Sequence, residues 1–356
     1  MVASIDIQIQ KTKKSGLPEV DFDNLSFGRV FADHMLMADF INGEWQNVQI
    51  LPYQNLSFSP AMIALHYGQA IFEGMKAYVT AENEVTLFRP WENFKRFNDS
   101  AERICMPTLP EELFIGGLTQ LLQLDRAWVP TTEGATLYIR PVMFATDETV
   151  GMRPSDSYKF VIFCCPVGAY YSEPVRVKIE THFVRAVEGG TGYAKTAANY
   201  AASLYPFKLA KEEGYDQIIW TDGIEHKYVE ESGTMNLIFK ISGKIVTAEL
   251  GDTILDGVTR KSVLALAQSW GYPVEERKVS VEEIITALKA GTLEEAFGVG
   301  TAAVVTPIKT IGYEGIDYDL KPTDEHSFSA KAKEQLVNLC KGKVTDEFEW
   351  IYKIPR

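Results

Sequence analysis

The chain has 356 residues, 46% of them hydrophobic and 23% charged, with a net charge of −13 at pH 7. That length suits two domains with separate cores, and the balance is that of a soluble globular protein. The negative charge argues against a nucleic-acid surface, no apolar run approaches the roughly 20 residues of a membrane span, and residues 1–16 lack the apolar core of a secretory signal. The cytoplasm is therefore the expected compartment.

In chain order, the first half reads as α+β. Alternation over residues 39–51 and 75–88 predicts two hairpins, the second turning at Ala81-Glu82-Asn83-Glu84. Helical periodicity follows over 91–103 and 111–128, each run starting after a proline that suits a first helical turn. Residues 136–144 and 159–165 then read as strands. Cys164 and Cys165 sit in the second of these as buried strand residues. With Cys105 and Cys340 they show no CxxC spacing, which fits a reducing compartment. The five histidines are scattered, and no metal site is expected. The stretch 166–176, bracketed by Pro166 and Pro174, is the expected linker.

Beyond the linker the spacing predicts a helix over 197–213, with Pro206 kinking or restarting it. Strands are expected at 217–220, 235–241 and 244–249, the last two joined by a Ser-Gly turn. Helices at 258–270 and 281–290, strands at 295–299 and 304–309, and a closing helix at 329–340 complete the pattern. The predicted organisation is a small N-terminal α+β domain over 1–165, the linker, and a large C-terminal domain over 177–356. A cleft between two domains is a common place for a small-molecule site.

The most informative stretch is GGTGYAKTAANY over 189–200. Glycines let backbone approach a ligand, and Lys195 would point at it. One reading is a phosphate cradle of the P-loop kind, with residues 217–222 as the acidic strand; Ala194 then stands where that pattern needs glycine. A second is a surface loop with an ordinary lysine. A third is a lysine that forms a Schiff base with an aldehyde cofactor. Such an amine must be unprotonated to attack, which favours a desolvated position near other cations.

The ordered motifs FGRVF (27–31) with DHM (33–35), LHYGQAIFEGMK (65–76), FRPW (88–91), LYIRP (137–141), GGTGYAKTAANY, ESGTMN (231–236) and FGVGT (297–301) decide between these. Over nearly its whole length the chain resembles the branched-chain aminotransferases of the fold type IV pyridoxal-phosphate (PLP) enzymes. The resemblance implies a two-domain, mixed α+β and α/β fold like that of D-amino-acid aminotransferase. It implies transamination of L-leucine, L-isoleucine and L-valine with 2-oxoglutarate, giving branched-chain 2-oxo acids and L-glutamate. PLP would be held by Lys195 as a Schiff base, and the protein would be a homodimer or a higher homo-oligomer.

Residue by residue, the resemblance makes Glu231 the carboxylate facing the pyridine nitrogen, where an ion pair keeps the ring an electron sink. Its neighbour Glu230 reads as solvated. Tyr200 would hydrogen-bond the ring oxygen, and Tyr193 would be packing. Thr234 joins the cofactor set. Arg96, the helix start at Val258 and Thr259, and Thr301 would hold the phosphate, since helix N-termini, hydroxyls and arginine suit a dianion. Thr259 would act through its side chain, its backbone N–H or both. Arg96, taken alone on an amphipathic helix, reads as solvated.

For the substrate, the family implies Phe31, Phe72, Tyr138 and Tyr170 around the branched side chain. Tyr67 and Arg140 would meet carboxylates, helped by N–H groups at Thr301 and Ala302, and Val150 and Met152 would reach across a dimer interface. Mammalian relatives carry a CxxC pair after the Gly-Thr-Ala turn; here Ala303 and Thr306 stand there, so no thiol switch is expected and the chain looks bacterial. The rivals within the PLP class are a D-amino-acid aminotransferase and an aminodeoxychorismate-type lyase. Outside that class, a nucleotide-dependent switch is the alternative.

Overall fold

The computed structural model describes residues 6–168 and 173–356. The chain divides into two compact units. The first takes the described residues up to 168 together with Ala194–Ala198 and Asn338–Arg356, and the second takes residues 173–193 and Asn199–Val337.

The first unit is built on a nine-stranded sheet. Its path runs Gln8–Ile9, Glu44–Pro52, His34–Ile41, Tyr158–Val167, Thr136–Ala145, Met75–Val79, Val85–Phe88 and Ile351–Ile354, and Ala70–Phe72 joins at Thr136–Ala145. The hairpin expected over 39–51 is longer than its alternation suggested, because His34–Ile41 pairs with Glu44–Pro52 over its full length. Its turn is Asn42-Gly43, both in the left-handed region at φ 55° and 84°, which matches the twist of the flanking strands.

The helices Pro90–Arg103 and Gly117–Leu124 cover one face of this sheet through a core that includes Leu36, Phe97, Phe114, Leu118 and Phe160. The rings of Phe97, Phe114 and Phe160 pack against one another, with Phe97 5.4 Å from Phe114 and 5.6 Å from Phe160 and the last two 5.9 Å apart. The single helix expected over 111–128 is instead a π turn at Glu112–Gly116, the α-helix Gly117–Leu124, and a 3-10 turn at Arg126–Trp128. Two successive glycines weaken the α-helix at its start. At its end Asp125 turns its carboxylate to the buried His34, accepting from its N–H at 2.9 Å and pairing with Nδ1 at 2.6 Å.

The second unit also carries a nine-stranded sheet, but this one closes on itself. Val229–Ser232 pairs with Gln217–Thr221 on one side and with Met235–Ile241 on the other. The ring runs on through Val175–Ile179, Val304–Tyr313 and Leu293–Gly300 back to Met235–Ile241. Closure removes sheet edges from these six strands. The helices Val258–Ser269 and Val281–Ala290 lie where the periodicity placed them. Ala197–Glu212 is one helix that Pro206 does not end.

Two boundaries differ from the expectation. Tyr158–Val167 and Val175–Ile179 occupy both ends of the expected linker, so strand pairing claims most of its described residues. The chain end, expected with the second domain, sits with the first unit, because Ile351–Ile354 pairs antiparallel with Val85–Phe88. Among the described residues no helix is long and apolar enough to cross a membrane.

Candidate active site

In the first unit Lys195 is fixed by its backbone. Its N–H donates to Ser100 Oγ at 2.9 Å, and its C=O accepts from the Phe72 N–H at 3.1 Å. Ser100 lies one turn beyond Arg96 on the helix Pro90–Arg103 and donates its own proton to the Arg96 C=O at 2.8 Å. The Lys195 Nζ lies 4.9 Å from the Phe72 ring centroid, and the Arg140 guanidinium carbon lies 4.5 Å from the same ring. An aromatic face attracts cations, so Phe72 gathers both charges.

Arg140 Nη2 donates to the Tyr138 hydroxyl at 2.9 Å. Tyr138 is buried in an apolar cluster with Cys165 and Val167, against which Phe31 packs. Phe31, Phe72, Tyr138 and Arg140 are thus linked by contacts to the surroundings of Lys195. Tyr67 belongs to an outer group, half exposed, with its hydroxyl donating to the Val150 C=O at 2.5 Å. Val150 and Met152 are 67% and 84% exposed. Tyr170 lies outside the described residues.

Arg96 is not the solvated residue its helix position suggested. It is buried, and its Nε and Nη2 donate to Glu73 Oε1 and Oε2 at 2.7 and 2.9 Å. Glu73, fully buried, also accepts from Asn93 Nδ2 at 2.8 Å and from the Gly74 N–H at 3.0 Å. Burial pushes the Glu73 carboxyl up, but Arg96 first, then Lys195 and Asn93, outweigh it and hold the group below the usual carboxylate range.

In the second unit Glu231 stands on the strand that closes the ring. Its register partner across the hairpin is Asn236, and Gly233 and Thr234 form the turn between the two strands. Asn236 Nδ2 donates to Glu231 Oε1 at 2.9 Å, and the Leu255 N–H donates to the same oxygen at 2.7 Å. Arg185 Nη2 meets Glu231 Oε2 at 2.8 Å, with both side chains buried. Arg185 Nη2 also donates to the carbonyls of Gly192, at 3.0 Å, and Thr253. Glu231 therefore presents a negative charge fixed by three donors.

Leu255 leads into the helix Val258–Ser269, which no side chain caps. A Cβ on Gly257 would overlap Asn236 Oδ1, so glycine is required for the helix start to approach Glu231 this closely. Val258 and Thr259 are buried in this first turn. Thr301 and Ala302 follow the strand Leu293–Gly300 in the turn to Val304–Tyr313, and a Cβ on Gly300 would lie 3.2 Å from the Thr234 C=O. Glu231, Thr234, Val258, Thr259 and Thr301 are thus drawn together by one hairpin, one helix start and one turn. Tyr200 lies half-buried in the first turn of the helix Ala197–Glu212.

The residues present fit PLP. An uncapped helix start suits a phosphate dianion, and Glu231 suits a protonated ring nitrogen. Among the described residues the buried Arg185 Nε and Arg140 Nε have no hydrogen-bond partner, which leaves a donor for a ligand in each set.

Glu230 differs from expectation. It is buried rather than solvated, and its carboxyl is raised to about 7, first by burial and further by Glu231 and Asp222, against Thr253 and Arg185. Asp222, the acid of the P-loop reading, is taken up by a turn. It accepts from the N–H groups of Ile224, Glu225, Lys227 and Tyr228. Burial alone would raise it, but these four bonds hold it at about 2. Glu73, Arg185 and Asn236 were missed in the sequence. A charge inside an apolar run was the available signal for the first two, since such a charge is buried only with a partner.

Comparison with known proteins agrees with this chemistry. Residues 70–311 match the model of the family described as amino-transferase class IV. The chain is 46% identical to branched-chain-amino-acid aminotransferase 2 of Bacillus subtilis (strain 168), over 99% of this chain and 97% of that one. Its fold is similar to that of a branched-chain aminotransferase from Thermoproteus uzoniensis solved with norvaline, at a TM-score of 0.74 and 24% identity, covering 90% of this chain and 100% of that one. A second solved relative is a branched-chain amino acid aminotransferase complexed with N-(5'-phosphopyridoxyl)-L-glutamate, its source abbreviated T.th.. There the TM-score is 0.72 and the identity 25%, covering 89% of this chain and 98% of the other.

Proposed function

This chain belongs to the class IV aminotransferases, PLP-dependent enzymes, in their branched-chain-amino-acid group, and on that premise we propose its reaction. L-Leucine, L-isoleucine and L-valine transfer their amino group to 2-oxoglutarate, giving branched-chain 2-oxo acids and L-glutamate, with PLP held on Lys195 as a Schiff base. The observation that carries the reading is near-full-length identity of 46% to a relative of that name. The phosphopyridoxyl-glutamate bound by the second solved relative supports glutamate as one substrate.

Bound PLP supplies an aldehyde for the substrate amine and a ring that accepts the electron pair released at Cα. This chain's residues do the rest. Lys195 Nζ would take the Cα proton of the substrate and return it. Its backbone anchors at Ser100 and Phe72 limit where that amine can swing. Glu231 keeps a proton on the ring nitrogen, and its three donors hold the carboxylate in place as charge develops. Tyr200 bonds the ring oxygen. Arg96, Thr234, the N–H groups of Val258 and Thr259, and Thr301 hold the phosphate end.

The two half-reactions use one pocket in turn, so kinetics are ping-pong. Phe31, Phe72, Tyr138 and Tyr170 receive the branched side chain. Arg140 and Tyr67, with N–H groups at Thr301 and Ala302, receive carboxylates. Val150 and Met152, both exposed, would complete a neighbouring subunit's pocket in a cytoplasmic homodimer or larger homo-oligomer. The test is kcat/KM for L-leucine against D-alanine, each with 2-oxoglutarate. L-Leucine should be strongly preferred; preference for D-alanine would replace this reading with a D-amino-acid aminotransferase.

A further inference from the structure

The phosphate anchor and the reactive lysine share a frame, of which the reaction above uses only the backbone anchors of Lys195. Arg96 and Glu73 meet in a two-pronged ion pair at 2.7 and 2.9 Å, with Glu73 wholly buried. The helix carbonyl of Arg96 accepts from Ser100 Oγ, which in turn accepts from the Lys195 N–H. Phe72, the residue before Glu73, donates its N–H to the Lys195 C=O, and the Glu73 N–H donates to the Pro141 C=O at 2.8 Å. Glu73 is therefore bonded through its side chain to Arg96 and is one peptide away from the backbone clamp on Lys195.

We propose that Glu73 is a positioning residue for the cofactor's phosphate. It fixes the plane of the Arg96 guanidinium at a set offset from Lys195. The geometry supports this. Arg96 Nε and Nη2 are both committed to one carboxylate, which restricts rotation about the last side-chain bonds. Asn93 and the Gly74 N–H then hold the carboxylate itself, so the orientation is determined from three sides. Lys195 adds a charge that favours the ionised Glu73, which keeps the fork intact when the lysine is protonated.

The proposal rests on the assignment of PLP to Lys195 and Arg96, and its test separates the two. Apoprotein is titrated with PLP and with pyridoxal, which lacks the phosphate, and the ratio of the two dissociation constants is read. Wild type should prefer PLP strongly. Glu73→Gln keeps the shape but loses the charge-assisted fork. It should lose roughly tenfold or more in PLP affinity while pyridoxal affinity changes less than about twofold. Glu73→Asp, which keeps the charge on a shorter stem, should fall between them and serves as the second variant should Glu73→Gln not fold. Arg96→Leu should reduce the preference at least as far as Glu73→Gln does, leaving what the helix start and the hydroxyls supply, and adding Glu73→Gln to it should cost nothing further.

An unchanged ratio in Glu73→Gln beside a reduced one in Arg96→Leu overturns the positioning role alone. Equal loss of PLP and pyridoxal affinity overturns it too, by showing a general packing role. An undiminished preference in Arg96→Leu overturns the Arg96 assignment and the role of Glu73 with it.

Discussion

Replacing Glu230 by Gln should stabilise the protein in mild alkali and leave it unchanged in acid. Burial first, then Glu231 and Asp222, lift the Glu230 carboxyl from 4.5 to about 7 in the folded chain, against Thr253 and Arg185. A carboxyl whose folded value lies above its unfolded one binds its proton more tightly when folded. Stability contributed at this site is therefore full in acid and falls as pH rises from roughly 4.5 to 7. A shift of that size is worth at most about 3 kcal/mol. Glu230 lines a partly open cavity of ≈ 480 Å³ with Asp252, Thr253 and Lys278, and solvent screening there reduces the figure to about 2 kcal/mol. Gln keeps the shape, can still accept from the Thr253 hydroxyl, and never ionises.

The assay is urea unfolding of wild type and Glu230→Gln, with cofactor removed so that its binding does not enter. At about pH 5 the two should differ by less than about 0.5 kcal/mol, and at about pH 8.5 the variant should be more stable by about 2 kcal/mol. A difference that does not change with pH would show that Glu230 titrates like an exposed carboxylate, and the argument from burial would fail.

Glu231→Gln should lower kcat by roughly 10²- to 10³-fold with the fold retained, because the neutral amide cannot keep a proton on the ring nitrogen; steady-state kinetics beside circular dichroism check this, and near-normal kcat would remove that role. Gly257→Ala forces Asn236 or the helix start to move, and PLP affinity should fall by about tenfold or more; equilibrium titration reads it, and unchanged affinity would detach the helix start from the phosphate. Phe72→Ala removes the ring that faces both Lys195 and Arg140, and kcat/KM for L-leucine should fall by roughly 10- to 200-fold; a variant that keeps wild-type kcat/KM would take Phe72 out of the pocket.

Much of the fold was legible because long, strongly periodic segments announce themselves. The run at 158–167 is apolar nearly throughout and becomes a central strand, and Val281–Ala290 follows Ser280, whose Oγ accepts from the Glu283 N–H at 3.0 Å. Short strands were not legible. Val229–Ser232, Val274–Glu276 and Ile316–Asp319 are too brief for alternation to show, and tertiary pairing defines them. Val229–Ser232 matters most, since it carries Glu231 and closes the ring.

At the site, motifs singled out Lys195 and Glu231 and the family resemblance added Arg96, but their partners depended on contacts between distant segments. Arg185 reaches Glu231 from 46 positions away in the chain, and no local pattern marks that pairing. Glu230 was misjudged for a related reason. Two adjacent strand acids ordinarily face opposite sides, one of them to water, whereas here the strand has a neighbour on each side and is buried on both faces.

The most direct test of the account is chemical. Reduction of the PLP-loaded protein with borohydride, followed by peptide mapping, should place a single pyridoxyl group on the peptide that contains Lys195. A label on any other lysine, or no label at all, would contradict it.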